Sequence, residues 1–166
     1  RNFQVIDKKL FSKYILLPFK GKLSEQFAKT GTAVEFVNLS KLKKEWNKPF
    51  KLYSALKQLQ SYVKNNQIDI LHPQSLWTTT LCVIIFYFSP IPIVAYLHAF
   101  PKIRSSKKDN FFQLIKNVVF RRTDHFVVVS SALKNSLLRL HIPEEKITIV
   151  PNGVDLKTFH PEHRSS

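Results

Sequence analysis

Six short runs dominated by Val, Ile, Leu and Phe recur along the chain, separated by stretches whose apolar residues fall three or four apart. The runs are 14–19 (YILLPF), 33–39 (AVEFVNL), 68–71 (IDIL), 91–97 (IPIVAYL), 125–129 (HFVVV) and 146–150 (KITIV). Each has the length and content of a strand, while the separating stretches have the period of helices. Leu23 and Phe27 stand one turn apart in 22–29, with Gly31 in the capping region. Leu52, Leu56, Leu59 and Val63 share one face, as do Leu133, Leu137 and Leu140 behind a Ser130 or Ser131 cap. Further helices are expected over 75–88 and from Asp109 to Arg122, where two arginines complement the negative helix end. Strands alternating with helices of this length imply parallel pairing through helical crossovers, a Rossmann-like, doubly wound α/β sheet. Near-continuous apolar runs agree, since strands covered on both faces need not alternate.

The charge-free interval between Asp69 and Lys102 could be taken for a membrane span. A span needs about 20 unbroken apolar residues. Here His72, Pro73 and Gln74 cut one end, and Ser89, Pro90 and Pro92 interrupt the middle. Prolines remove backbone donors, so a helix followed by a strand is the expected arrangement. No signal-peptide core is visible near residue 1. That residue is Arg and the chain has no Met, so a piece of a longer protein is expected, with a domain over 1–150 and the start of a linker over 151–166.

With only Gly21, Gly31 and Gly153, neither GxGxxG nor a GxxxxGK[ST] phosphate loop can exist. The single Cys82 excludes an internal disulfide framework and a cysteine-rich zinc site, and fits a reducing compartment. Six histidines without HExxH carry no metal signature, and no cofactor is expected.

In open parallel sheets ligands bind beyond the carboxyl ends of the strands. That places attention on His72, His98, Ser130 and the segment Asn152 to Asp155. His98 follows IPIVAYL directly, and its imidazole can donate to or accept from a substrate hydroxyl. The ordinary alternative is a strand-end histidine bonded to a neighbouring carbonyl, which is favoured more strongly for His72. Ser130 lacks the small flanking residues of a nucleophile elbow, so helix capping is its expected role. Asn152-Gly153 reads as a turn leaving the sheet, with Gly153 free to take positive φ. His160 and His163 read as solvated.

The stretch ITIVPNGVDLKTFHP (147–161) closely resembles the end of the N-terminal domain of glycosyltransferase family 4, whose members have the two-domain GT-B fold. HFVVVSSALKNSLLRLHIPEEKITIV resembles the same family's penultimate strand, helix and last strand. IDILHPQSLWTT and FSPIPIVAYLHAF are similar to its "DVVHxHS" and "GxPVVxTxHG" regions, with Gln74 for the second histidine and Ser89 and Ala99 where glycines are common. LLPFKGKLSEQFAKTGTAVEFVNL resembles its second strand, helix and third strand. The family's first strand and glycine loop have no counterpart, although 3–6 could fill that strand's place; the donor domain with its ExxxxxxxE pair is also missing. The resemblance implies the acceptor-binding, N-terminal half of a retaining transferase, inactive by itself. Its nucleotide sugar would be held by the missing C-terminal domain, and its acceptor would be a glycan or a lipid-linked molecule. It implies that His98 is the catalytic cleft histidine, that His72 and Ser130 line the acceptor side, and that Asn152 and Gly153 form the loop toward the interdomain hinge.

Lys plus Arg exceeds Asp plus Glu by 26 − 11 = +15. Basic residues cluster over 41–51, expected as a linker, and over 102–122, where Lys107, Lys108, Lys116, Arg121 and Arg122 accompany Phe111, Phe112, Ile115, Val118 and Val119. A basic, aromatic helix can lie on an anionic membrane. The alternative is a core-facing stripe with a solvated basic back. A transferase of lipid-linked acceptors would be cytoplasmic, peripheral on the inner face of the membrane, and the low Gly with abundant Lys, Phe and Ile suggests a bacterial, AT-rich genome. The competing class is a basic nucleic-acid- or membrane-surface-binding module without catalysis. Basic residues spread over several elements without a recognised motif argue against nucleic acid.

Overall fold

The computed structural model describes residues 10–17, 19–37, 49–99 and 117–153, with backbone alone at 49, 51 and 52. The chain divides into two compact units, Arg1–Gln67 and Ile68–Ser166. Segment 3–6, the expected helix start at Asp109, the basic stretches 41–48 and 102–116, and His160 and His163 lie outside the described residues.

In the first unit, β1 (Tyr14–Leu17) pairs in parallel with β2 (Ala33–Phe36), Tyr14 opposite Ala33 and Leu17 opposite Phe36. The crossover is α1 (Lys22–Lys29). It stops at a Schellman turn: the Gly31 N–H reaches the Ala28 carbonyl at 3.0 Å, and the Thr32 N–H the Phe27 carbonyl at 3.3 Å. Gly31 has φ of 72°, where a Cβ would clash with the following carbonyl. The next helix, α2 (Pro49–Asn65), begins earlier than its apolar face suggests. Proline at a first helical position loses no intrahelical bond, so 49–51 belongs to the helix rather than to the basic linker. Leu59 and Val63 are buried, and Tyr62 meets Tyr14 of β1 edge-on at 6.3 Å.

The second unit contains β3 (Val94–Leu97), β4 (His125–Val128) and β5 (Ile147–Ile149), a parallel sheet in that spatial order. Ala95 stands opposite Phe126, which stands opposite Ile147. Along β3 and β4 burial alternates, with Ala95, Leu97, Phe126 and Val128 at 0–1% exposure. These join Leu133, Leu137, Ile142, Ile147 and Phe120 in one core, against which α4 (Ser131–Leu138) packs. Val94, Tyr96, His125 and Val127 therefore share the opposite face. The charge-free interval resolves into α3 (Leu76–Phe86) followed by β3, a helix and then a strand as expected. Among the described residues no helix is long and apolar enough to cross a membrane.

The predicted strand 68–71 is reduced to a bridge between Leu71 and Ile93. Prolines on both sides explain why: Pro92 of the facing segment has no N–H to give the Asp69 carbonyl, and Pro73 has none to continue the ladder beyond Leu71. A short 3-10 turn, Glu144–Lys146, precedes β5, so Lys146 lies outside the strand. Residues 117–122 are helical; Val119 and Phe120 are buried and Arg121 is exposed, so this described end has its apolar side in the core. Arg122 does complement a negative helix end, but the end is that of α3, whose Phe86 and Tyr87 carbonyls accept from its guanidinium.

The turn after α4 repeats the Schellman geometry without glycine. His141 has φ of 59°, its N–H bonds the Leu138 carbonyl at 2.9 Å, and the Ile142 N–H bonds that of Leu137 at 3.2 Å. A left-handed L-residue costs about 1 kcal/mol relative to glycine. His141→Gly should therefore raise stability by up to about 1 kcal/mol, and Gly31→Ala should lower it by a similar amount. Urea titration checks both, and equal effects of one sign would refute the backbone explanation.

Candidate functional site

The carboxyl ends of the parallel strands in the second unit gather most of the residues the sequence singled out. His98 follows Leu97 of β3 directly and is exposed. His72 follows the bridge residue Leu71 and is also exposed. Asn152 and Gly153, both exposed, continue from the end of β5.

Tyr96 connects them. Because Ala95 and Leu97 point into the core, pleating directs Tyr96 to the other face. Its ring meets His98 edge-on, centroids 4.4 Å apart at 82°, and lies 5.9 Å from His72. Its hydroxyl donates to Asn152 Oδ1 at 3.3 Å, across 56 residues of sequence. No motif marks Tyr96, and only the alternation of IPIVAYL, with Tyr96 two residues before His98, hints that the two share a face.

His72 has a backbone partner of its own. The Val94 N–H donates to Leu71 O and the Tyr96 N–H to Pro73 O, so a regular parallel ladder would have residue 73 donate to Val94 O. Proline cannot. The His72 imidazole supplies that donor, Nδ1 lying 2.7 Å from Val94 O. A carbonyl only accepts, so Nδ1 carries a proton and Nε2 is the ring's remaining polar atom. The carbonyl-bonded alternative thus describes His72; among the described residues His98 has no such partner.

Ser130 caps α4, its Oγ accepting from the Leu133 N–H at 3.3 Å. Capping leaves the hydroxyl proton available to another acceptor. Among the described residues no hydrogen bond joins it to the Tyr96 group. Gly153 does not adopt the positive φ open to it, and a Cβ there would meet nothing within 4 Å. The turn geometry here does not require glycine.

Other chemistry is sparse among the described residues. No group of three or more His, Cys, Asp or Glu is placed to hold a metal ion. Burial pushes the Cys82 thiol up to about 12, which keeps it protonated and a poor nucleophile. A cavity of about 280 Å³ lies in the first unit, at the amino ends of β1 and β2, lined by residues including Tyr14, Thr30 and Gly31. Ligands of parallel sheets bind at the opposite strand ends, so this cavity is not assigned to the site.

The sequence model of Glycosyltransferase Family 4 matches residues 15–158. The alpha-galactosylglucosyldiacylglycerol synthase of Streptococcus pneumoniae (strain ATCC BAA-255 / R6) is 35% identical over 74 residues, taking 41% of this chain and 20% of that protein. Two solved structures are similar in fold. A glycosyltransferase from Rickettsia africae ESF-5 superposes with a TM-score of 0.66 at 22% identity, over 92% of this chain and 38% of that one. Anabaena HepE, solved in complex with UDP-glucose, gives 0.63 at 14% identity, over 90% and 39%. The chain therefore spans well under half the length of these solved structures and a fifth of the curated relative. At such identities the two structures establish the fold, a Rossmann-like half of the GT-B architecture with parallel strands.

Proposed function

The chain belongs to glycosyltransferase family 4, and from that membership we propose that it forms the acceptor-side half of a retaining hexosyltransferase. The donor is a nucleotide sugar held by a second domain, and the acceptor is a glycan or a lipid-linked molecule. The observation that carries this reading is the grouping of His98, His72 and Asn152 around Tyr96 at the carboxyl ends of parallel strands. UDP-glucose in Anabaena HepE supports the donor class, and the name of the Streptococcus pneumoniae relative supports a lipid-linked acceptor.

In the proposed step the acceptor hydroxyl attacks the anomeric carbon. The bond from that carbon to the diphosphate oxygen breaks, and the departing oxygen takes the electron pair and the acceptor's proton. Attack from the leaving group's own face gives retention. His98 hydrogen-bonds a hydroxyl of the transferred sugar or the acceptor and holds it in line, without forming a covalent bond. His72 and Ser130 line the acceptor side, and Asn152 and Gly153 begin the path toward the second domain. No metal or resident cofactor enters the step, so activity should survive EDTA.

The test is transfer of radiolabel by the intact protein from UDP-glucose, UDP-galactose and UDP-N-acetylglucosamine to glucosyldiacylglycerol vesicles and short glucans. Label in product with the donor's anomeric configuration is expected. Inverted product would overturn retention, and no transfer with any pair would overturn the reading. The 166-residue chain alone should give no turnover. We also propose attachment to the cytoplasmic face of the membrane, consistent with the +15 charge and with Ile84, Tyr87 and Phe88 exposed at the end of α3. Equal co-sedimentation with anionic and neutral vesicles would refute an electrostatic attachment.

A further inference from the structure

The geometry points to Tyr96 as the positioning residue for His98: its ring is the wall against which the imidazole sets its plane, and its hydroxyl is anchored by Asn152. This inference rests on the transfer reading for its catalytic consequence, though not for the contact itself. His98 is exposed at a strand end, where a side chain ordinarily samples several rotamers. Edge-to-face contact at 4.4 Å and 82° favours one of them, because the positive edge of one ring meets the negative face of the other.

Tyr96 is in turn held at three points. Its N–H donates to Pro73 O at 2.8 Å, its backbone lies in register with Val127 of β4, and its hydroxyl donates to Asn152 Oδ1 at 3.3 Å. Asn152 lies just beyond β5, on the chain segment that leaves the sheet. A shift of that segment would be transmitted through the phenol to the ring that orients His98. Among the described residues no hydrogen bond holds the His98 side chain, so the aromatic contact is what defines its orientation.

The test uses the intact protein with UDP-glucose as donor and glucosyldiacylglycerol as acceptor. Tyr96→Leu removes the wall and should lower kcat about 10- to 100-fold with KM for UDP-glucose changed less than threefold, since misplacing a catalytic group by about 1 Å costs rates of that order. Tyr96→Phe keeps the ring and should recover most of the loss. In a His98→Ala background Tyr96→Leu should have no further effect, because residues acting as one unit are non-additive. The His98 ring-proton resonances should move in Tyr96→Leu and much less in Tyr96→Phe. Asn152→Ala, at the exposed rim, provides a variant whose folding is not in question, and should shift the same resonances.

Full activity of folded Tyr96→Leu, additive loss with His98→Ala, or His98 resonances unmoved in both Tyr96→Leu and Asn152→Ala would each overturn the proposal. If His98→Ala itself leaves transfer intact, His98 leaves the mechanism and the catalytic consequence of this proposal falls with it, while the transfer reading stands. The resonances then still decide whether Tyr96 orients His98.

Discussion

His98→Ala in the intact protein should lower kcat for sugar transfer about 10²- to 10³-fold, the usual cost of deleting one preorganised hydrogen-bonding group from a polar transition state. The fold should be unaffected, since His98 is exposed and lies outside the core formed by Ala95, Leu97, Phe126 and Val128. KM for the donor should change little, because nucleotide contacts belong to the other domain in the proposed arrangement. His98→Gln keeps a donor and an acceptor at similar reach and should recover part of the rate, whereas a covalent role would not survive that change. Steady-state kinetics with matched circular dichroism and melting curves check this. A variant transferring sugar at the wild-type rate would remove His98 from the mechanism.

Arg122→Ala should have the largest effect on stability, about 3 kcal/mol by urea titration. The guanidinium donates from Nε to Tyr87 O at 3.0 Å. From Nη2 it donates to Phe86 O, Ser89 O and Ile91 O at 3.2, 2.7 and 3.2 Å. It thus ties the last turn of α3 to the loop that enters β3. Nη1 also pairs with Asp124 Oδ2 at 2.9 Å, and that oxygen accepts from the Ile93 N–H at 2.8 Å. Asp124 is about half exposed, so the ion pair itself contributes little after solvent screening. The four carbonyls dominate, because the Arg122 side chain is only 16% exposed and its removal takes a donor from each, Phe86 O keeping the Ser89 N–H. Arg122→Lys retains charge without the planar fork and should restore less than half of the loss. Asp124→Ala should cost about 1 kcal/mol, through the Ile93 N–H. An unchanged midpoint for Arg122→Ala would mean that water caps these carbonyls equally well.

Much of this was legible before any coordinates. The helix 22–29, the cap at Ser130, the break of the charge-free interval into α3 and β3, and the parallel pairing all follow from periodicities of two and 3.6 and from capping chemistry. The differences have local causes that the periodicity does not carry. Pro49 opens a helix instead of ending a linker, and Pro73 stops a ladder and passes its missing donor to His72. Gly153, free to enter the left-handed region, adopts no positive φ.

The order and type of most described elements were determined by the sequence alone. Each depends on residues within about two helical turns of one another, and such short-range preferences survive translation into structure. Which side chains meet was decided only by the tertiary structure. Tyr96 reaches Asn152 across 56 residues, and Arg122 caps a helix that ends 36 residues earlier. Such contacts depend on strand register and on the face each pleat turns outward, quantities that exist only once separate elements have paired.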